Sequence, residues 1–202
     1  NNPDGAMPSR GEVFSLADAC AASGARLFLD ACFYDFVDDP EFSLTELFAL
    51  PNVLVLQALT KSCALAGVRL GYLMGASEEL QRISEKSQPW NVSSLAQAAG
   101  AAAAVDRRYF GLLRETVRTE RAFLEDALRR AGYAPFPSRA NFLLFEGEED
   151  LAARLKERGI AIRDCGDFAG LTPAAGKRYY RIGVRTHAEN EALRRALLKE
   201  KE

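Results

Sequence analysis

The sequence predicts an α/β protein: part of a large domain built on a mostly parallel sheet, followed by a small α+β domain. Short apolar segments alternate with helical patterns along the first half, as in parallel strands joined by helices. A helical pattern of unusual length follows, and after it short strands alternate with helices. We therefore expect a domain boundary near the long helix.

The predicted strands of the first half are short and apolar, and the second of them, NVLVL, is rich in β-branched residues. Phe14, Leu16, Ala17 and Cys20 form the expected apolar face of the first helix, and Ser77 is the expected cap of the third. The predicted strands are 26–30, 52–56 and 68–74, and the predicted helices are 8–22, 43–50 and 77–86.

A single helix is predicted over 93–131, with a possible kink near Gly100 or Gly111 and an end at Gly132. The strands predicted after it are 141–145, 160–163 and 179–184, and the helices are 149–158 and 188–199. These elements give three parts: 1–92 as the C-terminal part of the large domain, 93–131 as an interdomain helix, and 132–202 as the small domain.

Composition excludes several classes of protein. Of 202 residues, 26 are basic and 28 acidic, so the net charge of −2 gives no basic footprint for nucleic acid. No apolar run is long enough to cross a membrane. The four cysteines form no C-x-x-C or zinc pattern, so we expect buried, reduced thiols and a cytoplasmic protein. With one histidine, His187, neither a serine-protease-like triad nor a multi-histidine metal site is expected.

Three charged residues follow or end the predicted strands of the first half. Asp30 ends the first strand, Lys61 follows the second, and Arg69 lies eight positions further on. Because ligands bind beyond the carboxyl ends of strands in an open α/β sheet, the three are expected to face one crevice. The plainer alternative is that they form surface ion pairs at loop ends.

The residue types in this crevice match one cofactor. A lysine beside other cations can become a neutral amine that attacks a carbonyl, and an arginine can clamp a phosphate. A carboxylate can pair with a protonated ring nitrogen. Amine, phosphate clamp and ring-nitrogen partner are what pyridoxal phosphate requires.

Longer motifs around these residues carry a family resemblance. The motifs are Thr60 to Tyr72 (TKSCALAGVRLGY), Asn1 to Gly5 (NNPDG), Leu29 to Phe33 (LDACF) and Tyr180 to Ile182 (YRI). In order and spacing they resemble the class I/II, fold type I, pyridoxal-phosphate-dependent aminotransferases from residue 1 to about 198. The resemblance implies pyridoxal 5′-phosphate as cofactor.

The resemblance also implies a role for each matching residue. Lys61 would bind the cofactor aldehyde covalently and later move protons, and Asp30 would keep the pyridine nitrogen protonated. Asn2 would donate to the phenolic oxygen of the ring. Arg69 would bind the cofactor phosphate, and Arg181 the substrate carboxylate.

Three positions depart from the family pattern. Phe33 stands where many members carry a tyrosine, and the neighbouring Tyr34 would point to the other face of a strand. Ala58 replaces a common phosphate-binding hydroxyl, for which Thr60 is the expected substitute. Ala31 replaces the usual glutamate.

Further motifs resemble the branch of the family that holds threonine-phosphate decarboxylases of cobalamin synthesis and histidinol-phosphate aminotransferases. These are Gln88 to Ser93, Ser138 to Phe142, Ile162 to Cys165, and Arg181 to Thr186. The resemblance implies a phosphorylated amino-acid substrate, decarboxylation of threonine O-3-phosphate to 1-amino-2-propanol phosphate, and a homodimer. The alternatives are a histidinol-phosphate-type aminotransferase and a non-catalytic remnant of the fold.

A substrate with both a carboxylate and a phosphate needs two cationic clamps. Beside Arg181, Arg163 is the candidate for the second anion. For Arg139 and Arg185, a salt bridge to an acidic residue is an equally good interpretation.

In this family, a segment that includes part of the cofactor phosphate site precedes the NNP turn. The chain therefore resembles a fragment of a longer protein, and we expect these residues alone to bind the cofactor weakly or not at all. Trp90 is expected to pack at the domain junction, and Cys165 in the core.

Overall fold

The computed structural model describes residues 1–199 and divides the chain into two compact units. One unit is Pro8–Leu113, which we call the lysine unit because it holds Lys61. The other joins Asn1–Met7 to the chain from Arg114 onward, and we call it the arginine unit.

The lysine unit is built on a three-stranded sheet of order β1-β2-β3. β1 and β2 are parallel, with Asp30 opposite Leu56, and β3 runs antiparallel to β2, with Gly71 opposite Ala58. The strands are β1 (Leu27–Asp30), β2 (Val53–Ala58) and β3 (Gly71–Gly75), and the α-helices are α1 (Arg10–Ala22), α2 (Leu44–Phe48), α3 (Leu59–Ser62), α4 (Ser77–Glu85), α5 (Ser94–Ala104) and the start of α6 (Arg107–Arg130).

Helix starts in this unit follow local capping chemistry. Ser9 and Glu12 form a capping box at the start of α1, and Ser43 and Glu46 form another at α2. The predicted cap of α4 is displaced by one residue: Ala76 is the N-cap, and Ser77 is the first helical residue.

The predicted apolar face of α1 is confirmed in part: Ala17 is buried and Phe14 and Cys20 are half-buried, but Leu16 is exposed. Val13 and Ala17, four residues apart on one face, are the buried residues of this helix. Leu16, which we expected in the core, is 52% exposed. The apolar pattern of α1 is nearly uniform around the helix, so the sequence gives little information about which face turns inward.

The predicted long helix is two helices. α5 ends at Ala104 and α6 begins at Arg107, so the break lies at Val105 and Asp106 rather than at Gly100 or Gly111. The Asp106 carboxylate accepts a hydrogen bond of 2.9 Å from the Tyr109 N–H, which is the geometry of a helix cap. The boundary between the two units falls inside α6, between Leu113 and Arg114.

The arginine unit packs helices against one face of a second sheet, which is antiparallel throughout and has the order β4-β6-β5. Its elements are β4 (Phe142–Glu148), α7 (Leu151–Glu157), β5 (Arg163–Asp164), β6 (Lys177–Gly183), α8 (His187–Lys199) and the rest of α6. Cross-strand neighbours Leu143 and Ile182, and Phe145 and Tyr180, face the core. Leu128 of α6 and Leu197 of α8 pack in the same core.

Several smaller expectations can be checked directly. All four cysteines are free; Cys32 and Cys165 are buried as predicted, whereas Cys20 and Cys63 are half-buried. Trp90 is 97% exposed, so its expected packing at a domain junction is wrong. None of the helices within residues 1–199 has the length and apolar character needed to cross a bilayer.

Candidate active site

Three predicted site residues of the lysine unit lie at one edge of its sheet. β1 and β2 are parallel, so both end at this edge, β1 with Asp30 and β2 with Ala58. Lys61 follows in α3, directly after β2. Arg69 lies two residues before Gly71, which starts β3 opposite Ala58. We call this group of Asp30, Lys61 and Arg69 the catalytic edge.

Lys61 is exposed at the catalytic edge. Its Nζ lies 5.3 Å from the centre of the Phe33 ring, close enough for a cation–π interaction. Thr60, the expected phosphate-binding hydroxyl, precedes it in α3 and is half-buried. The lysine amine is therefore open to a small molecule, with an aromatic ring on one side.

Asp30 is ionised at neutral pH. Its Oδ1 accepts a hydrogen bond of 2.9 Å from the Cys32 N–H. Partial burial raises the pKa of the Asp30 carboxyl, but the hydrogen bonds from Cys32 and the charge of Lys61 outweigh it, so the pKa is lowered overall. A carboxylate in this state can accept a hydrogen bond from a protonated ring nitrogen.

The backbone around Arg69 is constrained. Arg69 has a φ of +59°, which is uncommon for a non-glycine residue, and its Nη1 donates to the Ala66 carbonyl at 3.2 Å. At Gly71, a Cβ would lie 2.9 Å from the Gln57 carbonyl oxygen, so β3 approaches β2 closely only because this residue is glycine. These features hold the exposed guanidinium of Arg69 near the start of β3.

The predicted substrate arginines lie side by side in the arginine unit. Arg163 of β5 is directly opposite Arg181 of β6, so both side chains project from the same face of the sheet. Tyr180 and Ile182 face the helical core, so alternation along β6 places Arg181 on the opposite face. Two like charges directly opposite each other repel, and an anion bound to both would relieve that repulsion.

Each of these arginines has a partner within its unit. Arg181 Nη1 donates to Oδ1 of Asn2, and its guanidinium lies 5.0 Å from the centre of the Phe142 ring. Arg163 forms an ion pair with Asp167. Asn2, the predicted partner of the cofactor ring oxygen, is thus linked to the predicted carboxylate clamp.

The turn that carries Asn2 packs on a second motif. The Arg139 N–H donates to the Gly5 carbonyl at 2.8 Å. Gly5 has a φ of +76°, and a Cβ there would lie only 2.0 Å from Ser138 Oγ. The NNPDG turn and the Ser138 to Phe142 motif, which are remote in sequence, therefore form one local structure.

The structure corrects one expectation about side chains near the site and confirms another. Phe33 and Tyr34 do not alternate along a strand, because β1 ends at Asp30 and Tyr34 starts a 3₁₀ turn, Tyr34–Phe36. The Tyr34 hydroxyl donates to the Phe42 carbonyl at 2.6 Å. For Arg185, the salt-bridge interpretation is confirmed, with Glu189 at 2.8 Å.

Sequence reasoning missed the contacts that connect distant segments. Nothing in the sequence pairs Asn2 with Arg181, which are 179 positions apart. The Tyr109 hydroxyl donates to the Ser62 carbonyl at 2.6 Å, beside Lys61. The D-x-x-Y spacing of Asp106 and Tyr109 was available as a helix-start signal and would have placed Tyr109 in the first turn of α6.

Comparison with known proteins covers almost the whole chain. The sequence model of the family described as "Aminotransferase class I and II" matches residues 1–197. The threonine-phosphate decarboxylase of Salmonella typhimurium is 36% identical over 202 residues, which cover 98% of this chain and 54% of that protein. Histidinol-phosphate aminotransferase 2 of Thiobacillus denitrificans is 34% identical over 98% of this chain and 55% of its own length.

Solved structures agree with the sequence matches. The histidinol-phosphate aminotransferase of Clostridium acetobutylicum superimposes with a TM-score of 0.90 at 25% identity, covering all of this chain and 61% of that one. That of Sinorhizobium meliloti, in complex with pyridoxal-5′-phosphate, gives a TM-score of 0.84 at 25% identity, covering 98% of this chain and 54% of that one. The chain spans about half the length of the curated relatives it matches. The predicted α/β class and fold type I architecture are confirmed, and the chain belongs to the class I and II aminotransferase family.

Proposed function

We propose that the full-length protein is a pyridoxal-phosphate-dependent enzyme that acts on a phosphorylated amino acid, and that it decarboxylates threonine O-3-phosphate. The observation that carries the proposal is the pairing of Arg163 with Arg181 on one sheet face, which suits a substrate with two anionic groups. The similarity to threonine-phosphate decarboxylases and histidinol-phosphate aminotransferases supports the substrate class.

Pyridoxal 5′-phosphate is the cofactor of this family, as the sequence predicted. The donor set of the catalytic edge fits it: an exposed amine, an ionised carboxylate and an exposed guanidinium lie at one sheet edge. When bound, the cofactor supplies an electron-withdrawing ring conjugated to the substrate's α-carbon.

The residues of the catalytic edge would divide the work of holding this group. Asp30 would keep a proton on the ring nitrogen, because its carboxylate is ionised and accepts hydrogen bonds. Arg69 would neutralise the phosphate. Lys61 would form the covalent bond to the protein and then, once displaced by the substrate amine, carry protons to and from the substrate.

Arg181 and Arg163 would hold the two ends of the substrate. Arg181 is the proposed clamp for the carboxylate, and Arg163, opposite it, the proposed clamp for the phosphate. By fixing both anionic ends of the substrate, the two arginines would decide which bond of its α-carbon is activated: the bond to the carboxylate for loss of carbon dioxide, or the bond to hydrogen for amino-group transfer.

The direct test compares two reactions of the full-length protein. Threonine phosphate and histidinol phosphate are each supplied, and carbon dioxide release and amino-group transfer are both measured. We expect carbon dioxide and aminopropanol phosphate from threonine phosphate. Amino transfer from histidinol phosphate without carbon dioxide release would establish the aminotransferase instead, and neither reaction, with no cofactor bound, would indicate a non-catalytic remnant.

Variants of the two arginines test the clamps. Arg163→Gln is expected to raise KM for threonine phosphate by about ten- to a hundredfold, the cost of one charge-assisted hydrogen bond. Arg185→Gln is the matched control. Arg185 is also ion-paired, with Glu189, but it is not the residue opposite Arg181, so its substitution is expected to leave KM unchanged. Equal effects of the two substitutions on KM would refute the assignment of Arg163 as the clamp for the substrate phosphate.

A further inference from the structure

The lysine-bearing helix α3 is too short to hold itself in place. It has four residues, and its N-cap, Ala58, provides no side-chain hydrogen bond. A helix this short is unstable without tertiary contacts. Because Lys61 lies in its last turn, the position of the lysine amine depends on what holds α3.

Helices α5 and α6 supply such contacts. On α6, the Tyr109 hydroxyl donates a hydrogen bond of 2.6 Å to the carbonyl of Ser62, the residue directly after Lys61. On α5, a Cβ at Gly100 would lie 2.4 Å from a methyl of Leu70 and 4.0 Å from one of Leu59. Leu59 begins α3 and Leu70 follows Arg69, so these helices contact both ends of the segment that carries Lys61 and Arg69.

Tyr109 is itself well fixed. Its N–H donates to Asp106 at 2.9 Å, so it sits in the capped first turn of α6. Burial raises the pKa of the Tyr109 hydroxyl, and the nearby Cys63 and Asp106 raise it further, so the group stays protonated as a donor. The residue that supplies the acceptor carbonyl, Ser62, is also well packed, because it is 1% exposed.

We propose that Tyr109 is a positioning residue for Lys61: its hydroxyl, bonded to the Ser62 carbonyl, fixes the turn that presents the lysine amine. This inference rests on the proposed function, in which the neutral amine of Lys61 adds to the cofactor aldehyde carbon and the aldehyde oxygen leaves as water. A turn with more freedom lowers the fraction of time that the amine is aligned for this addition.

The test uses the full-length protein freed of cofactor and separates the covalent step from binding. With pyridoxal 5′-phosphate, the growth of the absorbance of the lysine-bound cofactor gives the rate of the covalent step. An analogue with the same ring and phosphate but no aldehyde, 4′-deoxypyridoxine 5′-phosphate, reports binding alone. A residue that merely supported the fold would change both quantities.

For Tyr109→Phe we expect the covalent rate to fall at least about tenfold while the affinity for the analogue stays within about twofold. Tyr133→Phe is the matched control, since its hydroxyl bonds Glu148 at 2.8 Å in the arginine unit, and it should leave both values unchanged. An unchanged rate in Tyr109→Phe, or an equal fall in rate and affinity, overturns the inference. If the unaltered protein forms no lysine-bound cofactor, the proposed function itself fails, and the inference with it.

Discussion

The two units bury their apolar side chains to different degrees. Among residues 1–199, nine of the ten large hydrophobic side chains that are exposed belong to the lysine unit, and Phe136 is the one in the arginine unit. Phe28 of β1 is 62% exposed and Leu56 of β2 is 42% exposed, on the same sheet face. The arginine unit instead closes its core around fully buried residues such as Phe145 and Leu197.

The best-packed apolar core and the proposed cofactor-binding residues therefore lie in different units. The arginine unit has its own apolar core, and the proposed substrate arginines lie on the sheet that packs in it. The lysine unit carries the proposed cofactor-binding residues on a sheet whose apolar face is partly uncovered, and surfaces of that kind mark sites of contact with further protein. Substitutions in the two units should therefore fail in different ways.

The largest expected effect is loss of chemistry without loss of fold. Lys61→Ala in the full-length protein should abolish the absorbance band of the lysine-bound cofactor and lower kcat at least about a thousandfold. Because Lys61 is exposed, the melting temperature of the cofactor-free protein should stay the same. Retention of the band in the variant would refute the role of Lys61.

A pair of phenylalanine substitutions sharpens the contrast in packing. Phe145→Ala removes a fully buried ring from the arginine unit and should lower the free energy of unfolding by about 3–5 kcal/mol. Phe28→Ala removes an exposed ring from the lysine unit and should cost less than about 1 kcal/mol. Urea denaturation monitored by hydrogen exchange measures the unfolding free energy of each variant. Similar costs would mean that Phe28 is covered in the full-length protein.

Acid should destabilise the arginine unit through Glu148. Burial raises the pKa of this carboxyl, but hydrogen bonds from its own backbone, Lys177 and Tyr133 lower it to about 2, from an ordinary value of 4.5. A depressed folded-state pKa gives stability that is present above the ordinary value and is lost as the pH falls from about 4.5 to about 2. The unfolding free energy of Glu148→Gln should therefore vary less over this range.

The control for Glu148 is Glu157→Gln, an exposed glutamate at the end of α7 in the same unit. Its acid unfolding curve should follow that of the unaltered protein. If Glu148→Gln shows the full pH dependence as well, the ionic contacts of Glu148 contribute nothing to the stability of the unit.

The smallest expected effect concerns the partner of Arg163. Asp167→Asn removes the carboxylate that pairs with the Arg163 guanidinium. A substrate phosphate then no longer competes with Asp167 for that guanidinium. An exposed ion pair contributes about 0–1 kcal/mol, so KM for threonine phosphate should fall by up to about fivefold. A rise in KM would show that Asp167 orients Arg163 rather than competing for it.

Local signals predicted much of the fold and of the catalytic edge. The β-branched run of β2, the strand end at Asp30 and the place of Lys61 shortly after β2 can be predicted because they depend on residues close in sequence. The break between α5 and α6 was missed because the alanines before Val105 favour helix so strongly, although Asp106 caps a new one. Capping chemistry at that point outweighs helix propensity.

The contacts between distant segments could not be predicted. The pairing of Asn2 with Arg181 and of Tyr109 with Ser62 depends on tertiary packing, which no local pattern encodes. The predicted packing of Trp90 was wrong for the same reason. An isolated tryptophan suggests a core position, yet Trp90 has a φ of +61° and its side chain is exposed. The roles of the individual site residues stay predictions until they are tested.

The most direct test of the central claim is to reduce the full-length protein with borohydride in the presence of pyridoxal 5′-phosphate and to map the labelled peptide by mass spectrometry. The label is expected on Lys61. A label on another lysine, such as Lys86 or Lys177, or no stable label at all, would contradict the assignment of Lys61 as the residue that binds the cofactor.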